Sequence, residues 1–207
     1  MKKVIPLFII AAGLVIAGYG GFKLIDTNTK TEQTLKEAKL AAKKPQEASG
    51  TKNSTDQAKN KASFKPETGQ ASGILEIPKI NAELPIVEGT DADDLEKGVG
   101  HYKDSYYPDE NGQIVLSGHR DTVFRRTGEL EKGDQLRLLL SYGEFTYEIV
   151  KTKIVDKDDT SIITLQHEKE ELILTTCYPF SYVGNAPKRY IIYGKRVTYP
   201  YDVPDYA

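Results

Sequence analysis

The sequence predicts a mainly β domain, a closed antiparallel barrel or a sandwich, set behind a single apolar N-terminal segment. Three observations carry that reading. From residue 72 onward the chain is a succession of short β-like runs separated by Gly and Pro, with little helical periodicity. Residues 4–22 are uncharged and nearly all apolar or glycine. Between the two, residues 26–70 are rich in Lys, Thr, Ala, Gln, Glu and Ser and poor in large apolar side chains.

The apolar segment follows a short basic start, Met1-Lys2-Lys3, and with Leu24 and Ile25 approaches the ~20 residues that cross a bilayer. A cleaved signal peptide is the rival reading. The apolar run is longer than a usual signal core, no A-x-A site follows it, and no lipobox cysteine is present. The expectation is therefore an uncleaved anchor over 1–25, with Lys2 and Lys3 on the cytoplasmic side and the rest of the chain outside. Residues 26–71 read as a disordered polar spacer, with a transient helix over 31–44 ended by Pro45.

In the folded part, β-like runs are expected at 73–78, 82–87, 112–116, 135–140, 143–155, 172–176 and 189–197. A short helix with an acidic first turn is expected at 91–97, closed by Gly98. Residues 121–130 form a helical or irregular connector. The tail 199–207 matches the hemagglutinin epitope tag residue for residue and is set aside as an engineered addition, so the domain spans 72–198.

Composition excludes several classes. A net charge of −2 gives no bias toward nucleic acid. One cysteine excludes an internal disulfide framework or a multi-thiolate metal site, and the three histidines have no ligand spacing, so neither a metal nor a cofactor is implied. That cysteine, Cys177, ends the apolar run 172–176 and is followed by Pro179, which stops a central strand. It is either a small buried hydrophobe or a thiol delivered to a rim. His119 follows one β-like run and Arg189 opens another. Singly, His119 reads as a turn residue and Arg189 as a surface charge. Brought to one rim, an imidazole could activate the thiol and later protonate a leaving amine, while the guanidinium holds a developing oxyanion.

Three motifs resemble the sortase family. Leu174-Thr175-Thr176-Cys177 is similar to the signature T-L-x-T-C, with Ile173 at its leading threonine. Ser117-Gly118-His119-Arg120 resembles the segment carrying the sortase histidine, and Lys188-Arg189-Tyr190 the one carrying its arginine. Cys177-Tyr178-Pro179-Phe180 and the run Ala186-Pro187-Lys188 are most like the class D branch. The resemblance implies an eight-stranded barrel and a cysteine transpeptidase that cleaves LPxTG-like sorting signals of surface proteins after Thr. The acyl group would pass through a thioester on Cys177 to an amine of a peptidoglycan precursor of the lipid II type. His119 is then the general acid/base and Arg189 the clamp, with Thr176 bonding the peptide. Residues 156–170 become a groove wall, with Ile162, Ile163 and Leu165 as apolar contacts. His101 and His167 are left as structural or surface residues. Two alternatives remain: an anchored cysteine peptidase with water as acceptor, and a non-catalytic cell-wall binding module in which Cys177 is inert.

Overall fold

The computed structural model describes residues 4–43, 60–182 and 184–197. The tail carrying the tag-like sequence and residues 44–59 of the expected spacer lie outside the described residues. Eight strands close a barrel in the order β1-β2-β3-β4-β7-β8-β6-β5, with β5 back against β1. They are β1 (Ala71–Ile77), β2 (Ala82–Glu88), β3 (Val99–His101), β4 (Gln113–Ser117), β5 (Gln135–Leu140), β6 (Gly143–Asp156), β7 (Glu171–Tyr178) and β8 (Lys188–Arg196). Alternate residues fill the interior: Leu75, Ile114, Leu116, Leu138, Leu172 and Leu174 are nearly inaccessible to solvent.

The sheet is mixed rather than wholly antiparallel. β2 pairs parallel with β3, and β4 pairs parallel with β7. β3 escapes a sequence reading because three residues with a central glycine show no alternation. The expected helix shrinks to α2 (Ala92–Leu95), opened by a capping box in which Asp91 and Asp94 satisfy each other's backbone N–H.

The N-terminal helix α1 (Val4–Lys43) is long and apolar enough in its first half to cross a membrane. Its second half departs from the expected disordered spacer. It is helical because Ala, Lys, Glu, Leu and Gln favour that state, and it docks on the outside of the barrel against β1 and β2. Thr34 and Ala38, one turn apart, are 6% and 0% exposed. Lys30 pairs with Glu96 and Lys39 with Glu83, each at 2.7 Å. The folded part also begins earlier than expected, since the Phe64 ring lies 4.8 Å from that of Tyr107 and 5.0 Å from that of Tyr142. One aromatic in a polar stretch is too sparse a pattern to announce packing.

His101 is buried, with Nδ1 2.8 Å from Glu88 Oε2 and Nε2 3.0 Å from the Tyr106 carbonyl. Tyr107 stacks on its ring and donates its hydroxyl to Glu88; burial first, then the Glu88 charge, push that phenol well above its usual range. This cluster anchors the connection after β3 and makes His101 a structural residue. His167 is exposed.

Candidate active site

Strand direction brings the three singled-out residues together. Because β4 and β7 run parallel, with Ser117 opposite Thr175, their C-terminal ends emerge at the same end of the barrel. His119 follows the end of β4, and the register continued two places sets it level with Cys177. β8 is antiparallel to β7 and starts at that end, with Arg189 directly opposite Cys177.

Side-chain alternation puts the site on the outer surface. Leu172 and Leu174 face the core, whereas Ile173 belongs to a separate cluster with Val155, Ile162 and Ile191 on the outside. Cys177 has the parity of Ile173, so its thiol points outward and is half-buried. His119 is exposed and Arg189 half-buried. Cys177 belongs to neither apolar cluster.

Several backbone features hold this corner. The Gly118 N–H donates to the Thr175 carbonyl at 3.1 Å, and the Thr176 hydroxyl donates to the Gly118 carbonyl at 2.7 Å. Thr176 is buried on the inner face with its hydroxyl committed to that bond, so it ties the histidine segment to the cysteine strand rather than facing outward with Cys177. A Cβ at Gly118 would lie 2.6 Å from the Phe124 ring, so only glycine lets β4 exit this closely over the connector. Arg189 Nη1 donates to the carbonyls of Ala186 at 3.2 Å and Lys188 at 3.0 Å.

Arg120 escaped the sequence reading as an independent element. It is 6% exposed and donates to the Pro179 carbonyl at 3.1 Å and the Gly184 carbonyl at 2.9 Å, with Asp121 Oδ1 3.4 Å from its Nε. One guanidinium therefore ties the residue after His119 to the loop that links Cys177 to Arg189. Its place beside His119 was the available signal; its burial was not readable.

The segment 157–170 crosses the outer face from the Cys177 end back to the start of β7. Ile162 is buried on Val155, Ile173 and Ile191, and Ile163 packs against the same group. Leu165 is half-buried with a left-handed φ of 50°. Ile162 and Ile163 thus lie on the outer face, in the cluster of Ile173. Near the start of the segment, hydrogen bonds from the Ser161 hydroxyl and N–H hold the Asp159 carboxyl below its usual range. Among the described residues no group of three His, Cys, Asp or Glu side chains is arranged to hold a metal ion.

Chemically, a half-buried cysteine at the end of β7, a guanidinium opposite it on β8 and an exposed histidine just past the parallel end of β4 are groups that acyl transfer can use. Comparison with known proteins gives a consistent result. Residues 75–197 match the sortase domain family. Sortase SrtE1 of Streptomyces coelicolor is 31% identical over 153 residues, 65% of this chain but 42% of that protein, so the match spans less than half of that relative. The catalytic domain of B. anthracis SrtD is 42% identical, with a TM-score of 0.55 over 65% of this chain and 92% of that one. The Clostridium perfringens sortase D5 transpeptidase, 24% identical, shares the fold at a TM-score of 0.67 over 82% of this chain and 99% of its own.

Proposed function

The chain belongs to the sortase family, and from that premise we propose that it is a membrane-anchored cysteine transpeptidase acting on LPxTG-like sorting signals. Cys177 Sγ attacks the carbonyl carbon of the signal's threonine, and the oxygen takes up negative charge. Arg189 donates to that oxygen from the opposite strand. His119 gives a proton to the departing amine, the C–N bond breaks and a thioester remains on Cys177. An acceptor amine, deprotonated by His119, then attacks the same carbon. The C–S bond breaks, the new amide leaves and the thiolate is restored.

The acceptor is an amine of a peptidoglycan precursor of the lipid II type, and the donors are surface proteins bearing the signal. The first half of α1 anchors the enzyme in the cell membrane, with its N-terminus inside and the barrel outside. The groove runs along the outer face from Cys177 toward Ile163 and Leu165, and the wall 157–170 takes the apolar part of the signal. Thr176 and Arg120 act as positioning residues.

The observation that supports this reading most directly is the pairing of Cys177 with Arg189 beside the parallel exit of β4 at His119. The test incubates the full chain with an LPxTG peptide library and a peptide amine and follows both by mass spectrometry. A Cys177 thioester and an amine-ligated product are expected. Hydrolysed peptide alone would make the chain a peptidase, and the absence of any thioester would remove both readings.

A further inference from the structure

Gln113 opens β4 at the end of the strand remote from His119 and is 2% exposed. A primary amide has two N–H donors and an oxygen with two acceptor sites, and all four are engaged. Its Nε2 donates to the Ile162 carbonyl and to Glu171 Oε2, both at 3.2 Å. Its Oε1 accepts the N–H of Thr164 at 2.8 Å and of Leu165 at 3.1 Å. The reversed amide would set N–H against N–H and oxygen against a carbonyl and a carboxylate, so the orientation is fixed by its partners. Three of the four bonds go to the main chain of 162–165, the stretch carrying Ile162, Ile163 and Leu165.

We infer that Gln113 is a positioning residue for substrate binding: it touches no peptide, but holds the wall 162–165 in its peptide-binding shape before substrate arrives. The inference rests on the proposed role of 157–170 as the groove wall. The wall needs such a hold, because Leu165 sits in a left-handed conformation that is unfavourable for a side chain bearing a Cβ. If the amide is lost, the freed N–H groups of Thr164 and Leu165 can be satisfied by water only when the segment lifts. A wall that is in place only part of the time weakens the apparent affinity by that fraction. The chemistry at Cys177 is untouched, since Gln113 lies at the far end of β4.

The experiment uses the full chain in detergent, with Gln113→Leu, which removes the amide, and Gln113→Asn, which keeps it one methylene short. Kinetics with a sorting-signal peptide are measured beside amide hydrogen exchange at Thr164 and Leu165. KM is expected to rise about tenfold with kcat within about twofold, the signature of lost uniform binding. Exchange at both amides should accelerate while the β7 amides stay protected. An unchanged KM alongside faster exchange would overturn the inference, as would a fall in kcat at constant KM. Failure of both variants to fold would assign Gln113 to the fold instead. Ile163→Ser separates the two layers. If it too leaves KM unchanged, the wall reading itself fails; if it raises KM while the Gln113 variants do not, only the hold by Gln113 fails.

Discussion

Two outer faces of this barrel are covered, on opposite sides, and they are covered by different physics. In the ring of eight strands β1 and β7 are four places apart in either direction. On the β1–β2–β5 side, the second half of α1 lies over the sheet, leaving beside it a cavity lined by Ala42, Ile74 and Leu139 among others. The contact is made by small buried side chains and flanked by ion pairs whose side chains are 26% to 43% exposed. On the β7–β8–β6 side, an irregular segment runs back from the Cys177 end and is held by a buried amide. The helix cover rests on two small buried side chains and two partly exposed ion pairs. The loop cover is a shaped surface in which three main-chain groups of 162–165 are fixed by one buried amide.

The largest effect that could break this contrast is at the thiol. Cys177→Ala is expected to abolish transfer, a loss of roughly 10⁴-fold or more, while leaving the cooperative melt unchanged, because the side chain is outward and half-buried. His119→Ala should do the same. A Cys177→Ala protein that no longer folds would mean that this face is core after all.

Next in size is Arg189. Lysine keeps the charge but replaces a planar fork with a flexible point donor. Arg189→Lys is expected to fold normally and to lose on the order of 10²-fold in kcat/KM, the scale of one oxyanion donor. Alkylation of Cys177 by a small neutral reagent should change far less. Equal losses in both assays would show that Arg189 tunes the thiol instead of acting on the substrate oxygen.

The catalytic side was the more legible in sequence. Cys177 ends an apolar run, His119 follows one and Arg189 opens another, and short β-like runs with turn residues announced a barrel or a sandwich, of which the family resemblance selected the barrel. The parallel pairing that brings the end of β4, just before His119, to the Cys177 end of β7 was not readable, since periodicity records which face a residue takes but not which strand it meets. Gln113 and Arg120 were missed for another reason: burial of a polar side chain depends on loops closing over it, and neither spacing nor composition encodes that. On the helix side, Thr34 and Ala38 are too small and too polar a stripe to signal docking, so a packed helix was taken for spacer.

Ala38→Glu tests whether the two covers are independent. Ala38 is fully buried, so a longer charged side chain must force the helix off the sheet, at about 1–3 kcal/mol for an overpacked contact. Hydrogen exchange in residues 30–43 should quicken and the melt should fall by a few degrees. Turnover of a soluble peptide should stay within about twofold, because the catalytic face is half a barrel away. A proportionate loss of turnover would mean that helix docking is transmitted through the strands.

The smallest expected effect is at Lys39. Its ammonium meets Glu83 Oε2 at 2.7 Å, but the two side chains are 43% and 40% exposed. Water and salt screen such a pair, and the side-chain entropy lost in holding it offsets part of the attraction, so Lys39→Ala should cost about 0–1 kcal/mol. The measurement is the difference in melting temperature between Lys39→Ala and the parent at low and at high salt. The difference should shrink as salt rises, since the screening length falls from about 8 Å at physiological ionic strength to about 3 Å at 1 M, close to the 2.7 Å separation of the pair. The exchange difference between Gln113→Leu and the parent should not respond to salt, because the bonds to 162–165 run between an amide and the main chain and are shielded by burial. A salt-independent loss at Lys39 would place its aliphatic stem, not its charge, in the contact, and the helix side would then be held by packing as specific as that of the loop.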